Sequence, residues 1–244
     1  MENSINNKKR LLILGGSSDI GVELAKFFLS KGWHVTVHYS GKNLVFKEKL
    51  IRYQNISFIK LNFKNLSEKD IDKKIKVFSK NNYHSVVNLI GFLKNNKFLD
   101  LKYKDINESF KINTFIPILI QKNIMKQMIK NKWGRILNCS SIGIKFGGGE
   151  NTFAYSFSKY AIEFIPSIYK RLAKDGVFIN NLRIGVTNTK IHRKDKSKNM
   201  KKRISLIPIK RMATPIEIAK YIYQLSSSEN TFVTGETFTV AGGE

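Results

Sequence analysis

The stretch Leu14-Gly-Gly-Ser-Ser-Asp-Ile-Gly21 (LGGSSDIG) decides the fold, because it joins a short apolar run to a helical pattern. The run RLLIL (10–14) precedes it and the pattern IGVELAKFFLSKG (20–32) follows it. Gly15 permits a tight turn, and backbone N–H groups at the beginning of a helix attract phosphates. The stretch therefore predicts a strand, turn and helix that bind a nucleotide.

Asp19 is unexpected in such a turn, because a carboxylate repels a phosphate. The beginning of a helix, however, stabilises a negative charge by about 0.3–1 kcal/mol. We expect the Asp19 carboxylate to turn back onto the helix N–H groups. Ser17 and Ser18 would then supply hydroxyls to the nucleotide.

Further apolar runs alternate with helical patterns along the chain. The predicted strands span residues 10–16, 33–40, 56–63, 85–91, 134–141, 177–185 and 236–243, and the predicted helices span 20–32, 66–80, 102–130, 155–174 and 213–227. The alternation predicts an α/β protein: a single-domain Rossmann fold over 1–244, with a doubly wound parallel seven-stranded sheet and helices on both faces. In such a sheet, ligands bind where the strands end.

Tyr155 and Lys159 lie one helical turn apart, 14 residues beyond Ser141, which ends the fifth predicted strand. On a helix, this spacing puts both side chains on one face. An adjacent ammonium favours the phenolate, so Lys159 is expected to lower the Tyr155 pKa from its usual value near 10. Such a pair often means only a tyrosine packed beside a surface lysine. Behind a nucleotide turn and a strand-end serine, a proton donor to a carbonyl oxygen is favoured.

Taken together, these motifs resemble the short-chain dehydrogenase/reductase family over nearly the whole chain. Besides the turn, the serine and the Tyr-x-x-x-Lys pair, the resemblance includes Asn113 and the segments NLIG (88–91), RIGVTNT (183–189) and TGETFTVAGG (234–243). It implies an NAD(P)(H)-dependent oxidoreductase that transfers hydride between a nicotinamide and a carbonyl or secondary alcohol. Members that reduce 3-oxoacyl-(acyl-carrier-protein) are the most general match.

The resemblance also implies a catalytic tetrad of Asn113, Ser141, Tyr155 and Lys159. Tyr155 would donate a proton to the substrate oxygen, and Ser141 would hydrogen-bond that oxygen. Lys159 would hold the nicotinamide ribose, and Asn113 would support a water that restores the proton. The expected cofactor-binding residues are Gly15, Ser17, Ser18, Asp19, Ile20, Gly21, Tyr39, Ser40, Lys42, Asn62, Phe63, Asn88, Gly91, Tyr155, Lys159, Gly185, Thr187 and Thr189.

The segment after the second predicted strand bears on the choice of cofactor. An acidic residue there would bind the ribose 2′-hydroxyl of NAD(H) and repel the 2′-phosphate of NADP(H). The segment HYSGKN (38–43) has no acid and offers Tyr39, Ser40 and Lys42. NADP(H) is therefore favoured over NAD(H). No cluster of side chains has the spacing of a metal site, so we expect no metal.

The chain is strongly basic, with 43 Lys and Arg against 18 Asp and Glu and a net charge of +25. Only 8 of the 43 are Arg, the residue preferred for bidentate phosphate and base recognition. Since the lysines accompany many Asn and Ile residues, which share A/T-rich codons, coding bias explains much of the charge. We therefore expect no nucleic-acid partner.

The densest basic segment, 190–203, lies within a predicted substrate lid over about 187–212. Lys194, Lys196 and Lys198 are its candidate substrate-binding residues, and a solvated surface segment is the alternative. The expected substrate is a small-molecule or carrier-linked acidic carbonyl compound. A 3-oxoacyl thioester and a nucleotide-linked or acidic sugar both fit, and a non-catalytic nucleotide-binding homologue is a further alternative.

Other features of the sequence bear on location and assembly. The N-terminus is polar, no apolar run approaches the roughly 18 residues that span a bilayer, and Cys139 is a lone cysteine. A cytoplasmic protein that does not insert into a membrane is therefore expected. The family resemblance further implies a homodimer or homotetramer formed through helices 102–130 and 155–174.

Overall fold

The computed structural model describes residues 8–42, 44–190 and 199–244. Within these ranges, one seven-stranded sheet has the order β3-β2-β1-β4-β5-β6-β7, and each neighbouring pair is parallel. The strands are β1 (Arg10–Leu14), β2 (His34–Tyr39), β3 (Ile56–Lys60), β4 (Ser85–Asn88), β5 (Gly134–Ser141), β6 (Val177–Ile184) and β7 (Thr237–Val240). The predicted doubly wound α/β fold is confirmed.

Helices connect the strands in the described residues. They are α1 (Asp19–Ser30), α2 (Val45–Glu48), α3 (Glu68–Ile75), α4 (Tyr103–Phe110), α5 (Ile116–Lys130), α6 (Phe153–Ile162), α7 (Ser167–Arg171), α8 (Met200–Ser205) and α9 (Pro215–Ser226). Strand β1 shows how they cover both faces of the sheet, because its side chains alternate between two cores. Leu11 and Ile13 pack in the core that contains residues of α1 and α9. Leu12 and Leu14 pack in the core that contains residues of α5.

The two long predicted helices are both interrupted. A five-residue π-helical segment, Lys111–Phe115, separates α4 from α5 within the predicted helix 102–130. The prediction of a continuous helix over 155–174 is wrong, because α6 ends at Ile162 and α7 begins at Ser167. Pro166 explains this break, since its ring fixes φ and disfavours the helical conformation of the preceding residue.

The strand order determines where a ligand can bind. Because every strand is parallel to its neighbours, the carboxyl ends of β1, β4 and β5 lie at one edge of the sheet. Between β1 and β4 the chain order reverses direction, and crevices at such points bind ligands in doubly wound sheets. The turn after β1 and the polar side chains after β4 and β5 therefore converge.

Two further findings concern only the part of the chain that the structure describes. No helix there is long and apolar enough to cross a membrane. No group of three or more His, Cys, Asp or Glu side chains is placed there to hold a metal ion. The proposed substrate residues Lys194, Lys196 and Lys198 lie outside the described residues.

Candidate active site

A cavity of about 1390 Å³ lies at the carboxyl edge of the sheet. This volume exceeds that of a typical drug-sized pocket, roughly 300–1000 Å³, and so can accommodate a dinucleotide together with a substrate. Among the predicted site residues, those that line it are Gly15, Ser17, Ser18, Asp19, Ile20, Ser40, Asn62, Phe63, Gly91, Ser141, Tyr155, Lys159, Gly185, Thr187 and Thr189. The same cavity thus joins the glycine turn to the Tyr-x-x-x-Lys pair.

The turn after β1 has the geometry of an anion-binding helix N-terminus. Ser18 is the N-cap of α1, and its side chain accepts a hydrogen bond from the Gly21 N–H at 3.1 Å. Gly15 has a φ of +73°, which favours glycine. A Cβ at Gly21 would lie 2.5 Å from the Gly16 carbonyl oxygen, so only glycine lets the helix pack this closely on the turn. This cradle fits the pyrophosphate of a dinucleotide.

Asp19 differs from the expectation that its carboxylate caps its own helix. Asp19 Oδ2 accepts a hydrogen bond of 2.7 Å from the backbone N–H of Lys190. Ser18 supplies the side-chain cap. The acid therefore ties the glycine turn to the segment that follows β6, where Thr187 and Thr189 line the cavity.

Ser141 and Tyr155 face the cavity from β5 and α6. Burial raises the pKa of Tyr155 above its usual value near 10, and a hydrogen-bonding interaction with Ser141 partly offsets the rise. The direction is opposite to the one predicted from the Lys159 spacing. Tyr155 is consequently protonated at neutral pH, which is the state a proton donor requires.

Lys159 is 3% exposed and lies on the same helix as Tyr155. Its ammonium donates hydrogen bonds to the carbonyl oxygens of Ile90 (2.6 Å) and Cys139 (2.7 Å). Burial lowers the Lys159 pKa from 10.5 to about 8. The ammonium is thus fixed between the ends of β4 and β5. Because its pKa is close to physiological pH, a change in nearby charge alters the fraction of Lys159 that is protonated.

Asn113 lies in the π-helical segment and is fully buried. Its Oδ1 accepts from the Phe92 N–H at 2.7 Å, and its Nδ2 donates to the Phe92 carbonyl and to Ser158 Oγ, both at 2.9 Å. These bonds use both amide protons. Asn113 therefore fixes the segment after β4 against α6, and π-helical turns of this kind recur at functional sites.

Among the predicted residues that the structure describes, five do not line the cavity: Gly21, Tyr39, Lys42, Asn88 and Asn113. Asn88 acts from beneath it, because its Oδ1 accepts from the Ile90 N–H at 3.2 Å and so shapes the loop that carries Gly91. The Tyr39 ring is buried against Phe46, with centroids 5.1 Å apart.

His38 lines the cavity, although the sequence did not single it out as a site residue. Its Nδ1 accepts a hydrogen bond from the Gly15 N–H at 3.2 Å, and its Nε2 lies 2.8 Å from the Leu61 carbonyl oxygen. Burial lowers the His38 pKa from 6.5 to about 4, so the ring is neutral at pH 7 and supports the glycine turn. The sequence did hold a signal for His38: a histidine in a strand that is buried on both faces needs hydrogen-bond partners for its ring nitrogens.

Comparison with known proteins agrees with this arrangement. A family profile described as enoyl-(acyl carrier protein) reductase matches residues 15–244. The 3-oxoacyl-[acyl-carrier-protein] reductase FabG of Buchnera aphidicola subsp. Schizaphis graminum is 29% identical over 245 residues, which cover 97% of each chain. FabG of Aquifex aeolicus is 28% identical over 237 residues, which cover 95% of each chain.

Solved structures show the same likeness. ElxO with NADP bound has a TM-score of 0.84 at 26% identity, covering 97% of this chain and 98% of that one. BdcA in complex with NADPH has a TM-score of 0.82 at 25% identity, covering 96% and 93%. The glycine cradle, the serine at the end of β5 and the Tyr155–Lys159 pair share one cavity, and the matches extend over nearly the full chain. The protein belongs to the short-chain dehydrogenase/reductase family of NAD(P)-dependent oxidoreductases.

Proposed function

We propose that the protein uses NADPH to reduce the keto group of a 3-oxoacyl thioester to a secondary alcohol. The observation that carries the proposal is the single cavity lined by the cofactor turn, Ser141, Tyr155 and Lys159. The relatives named FabG support the thioester class. The test follows NADPH oxidation by absorbance with two substrates: 3-oxobutanoyl-coenzyme A and the thioester of 3-oxobutanoate with N-acetylcysteamine. Absence of turnover on these and on a wider ketone panel would overturn the proposal.

The side chains divide the reaction between them. When bound, a nicotinamide would be the source of the hydride that reduces the carbonyl carbon. Ser141 hydrogen-bonds the carbonyl oxygen and fixes its position, and Tyr155 gives that oxygen its proton. The Lys159 ammonium, which donates to two backbone carbonyls, would hold the ribose hydroxyls of the cofactor.

We expect NADPH to bind more tightly than NADH. Ser40 is exposed at the end of β2 and lines the cavity, and no acid follows that strand to repel a 2′-phosphate. Lys190 also lines the cavity and adds positive charge, whereas Lys64 lines it with its ammonium paired to Glu108. Nicotinamide fluorescence titrations at one ionic strength give both dissociation constants. Tighter binding of NADH would contradict the proposed cofactor.

The structure bears on whether the thioester is carried by a protein. By resemblance to 3-oxoacyl-(acyl-carrier-protein) reductases, Lys132 stands at a position that would contact a carrier protein. Its ammonium lies 2.5 Å from Asp175 Oδ1, so that charge is paired. This pairing favours a small thioester over a carrier-linked one.

The basic segment supplies a test of the acidic substrate. Replacing Lys194, Lys196 and Lys198 together by Gln is expected to raise KM for 3-oxobutanoyl-coenzyme A, with a smaller effect on NADPH binding. The wild-type KM should also rise with salt, because exposed charges are screened over about 8 Å at physiological ionic strength. A matched control removes three exposed lysines elsewhere, Lys69, Lys73 and Lys76. Equal KM values in the two triple variants would assign the segment to the solvated surface.

Exposed apolar side chains support a homo-oligomer as the working form. They lie on or beside α4, α6 and α7, the elements that correspond to the predicted interface helices. They include Leu99 (92% exposed), Tyr103 (83%), Phe164 (73%), Tyr160 (64%), Phe98 (55%), Ile168 (54%), Phe115 (49%), Phe157 (48%) and Phe153 (36%). Patches of this kind mark protein interfaces, and we propose a homodimer or homotetramer formed through them.

A further inference from the structure

Glu163 lies directly after α6, one helical turn beyond Lys159, and its carboxylate joins two strands. Ser140 Oγ of β5 donates a hydrogen bond to Oε1. Arg183 of β6 donates from Nε to both carboxylate oxygens at 3.0 Å and from Nη2 to Oε2 at 2.7 Å. The Glu163 side chain is 6% exposed. The carboxylate is thus buried, charged and bonded on both oxygens.

These contacts surround the catalytic groups without touching the reacting atoms. Ser140 precedes Ser141, and Arg183 is the register partner of Ser140 in the β5–β6 pair. The Glu163 backbone carbonyl also accepts from Asn181 Nδ2 at 2.7 Å. On the other side, the Lys159 ammonium bonds the Cys139 carbonyl, next to Ser140 in β5. The C-terminal end of α6 is therefore fixed to the ends of β5 and β6.

We propose that Glu163, held by Ser140 and Arg183, is a positioning residue for the proposed reduction. It orients the part of the site that contains Lys159 and Ser141. Together with Arg183, it also determines the electrostatic potential at the Lys159 ammonium. The expected change in kcat/KM rests on the proposed function, because it is measured with the thioester substrate. The electrostatic consequence concerns cofactor binding and is independent of the substrate.

The charged surroundings of Lys159 define the expected direction. Burial lowers the Lys159 pKa to about 8, whereas the negative charge of Glu163 raises it. Cys139 is a neutral thiol near this pH, because burial raises its own pKa to about 12. Tyr155 lies on the same helix, and its own pKa is raised above 10. The other charged residues that line the cavity are Asp19, Lys64, Lys190, Arg203 and Glu244. Of these, Lys64 is paired with Glu108, and Arg203 is paired with Glu244. Glu163 is bonded to Arg183, and removal of the Arg183 charge leaves Glu163 unbalanced.

The test uses the opposite charges of the pair. Lys159 must be protonated to bind the ribose hydroxyls as a cation, so activity falls as pH rises through its pKa. Glu163→Gln removes the balancing negative charge and is expected to move this falling limb of kcat/KM to lower pH by about one unit. Arg183→Gln leaves Glu163 unbalanced and should move it to higher pH. A purely structural clamp predicts lower thermal stability in both variants and no displacement of the limb.

Three controls sharpen the result. The double variant Glu163→Gln/Arg183→Gln removes both charges and should bring the limb back toward its wild-type position. The conservative Arg183→Lys keeps the positive charge and should leave the limb near that position. Ser140→Ala changes no charge and should leave it in place. The pH dependence of the NADPH dissociation constant gives the same comparison without turnover, so it still tests Glu163 if the thioester substrate is wrong. Limbs that coincide, or that move in the same direction in Glu163→Gln and Arg183→Gln, would overturn the proposal.

Discussion

Tyr155→Phe is expected to lower kcat for carbonyl reduction by about 10²–10⁴-fold, the usual contribution of a positioned general acid. The change removes only the phenolic hydroxyl, and the ring keeps its packing at the beginning of α6. NADPH affinity is therefore expected to stay close to the wild-type value. Steady-state kinetics with the 3-oxoacyl thioester and a fluorescence titration of NADPH measure the two quantities.

Tyr160→Phe is the matched control, because Tyr160 lies on the same helix with 64% of its surface exposed. It should retain wild-type turnover and stability. If Tyr155→Phe kept more than about a tenth of wild-type kcat, Tyr155 would not be the acid in this sense. Equal losses in the two variants would instead indicate damage to α6.

The pKa of Tyr155 shows where sequence reasoning was incomplete. The Tyr-x-x-x-Lys spacing places both residues on α6 and predicted that the ammonium would lower the phenol's pKa. In the fold, Lys159 donates to the carbonyls of Ile90 and Cys139, and burial raises the Tyr155 pKa. Spacing fixes which helix face a residue occupies, whereas its hydrogen-bond partners come from distant strands.

The parts of the fold that the sequence predicted were local in origin. The apolar run RLLIL and the helical pattern 213–227 depend on signals within a few residues, and the structure has strand β1 and helix α9 in those places. Helix α9 begins with a capping box of Thr214 and Glu217. The parallel, doubly wound arrangement followed from the alternation of strands and helices and from the right-handed crossover rule. The carboxyl-edge location of the cavity followed from the parallel sheet.

The missed features were long-range or depended on a single residue. Pro166 interrupts a helical pattern that otherwise continues to residue 174. The Asp19 contact with Lys190 spans 171 positions, and the Arg183 contact with Glu163 spans 20. No periodic pattern records such pairs. His38 gave a weaker signal, since a histidine in a doubly buried strand needs hydrogen-bond partners.

Gly21→Ala is expected to weaken NADPH binding by roughly 10²-fold, since a displacement of about 1 Å in a positioned site can have an effect of that size. The added Cβ would lie 2.5 Å from the Gly16 carbonyl oxygen and 2.6 Å from its Cα. Both are backbone atoms, so helix α1 must move away from the turn. The helix N-terminus would then no longer face the pyrophosphate. NADPH fluorescence titration and thermal unfolding of the cofactor-free protein measure the two effects.

The fold itself should also lose stability, because overpacking usually costs about 1–3 kcal/mol, and each kcal/mol lowers Tm by about 2–4 °C in a chain of this size. Gly91→Ala is the matched control for this effect: Gly91 is exposed, and a Cβ there would meet nothing within 4 Å. Its Tm without cofactor should equal that of the wild type. A Gly21→Ala protein with wild-type Tm and wild-type NADPH affinity would show that the turn can widen without loss. In that case the close approach of Gly21 to Gly16 would not be what holds the pyrophosphate site together.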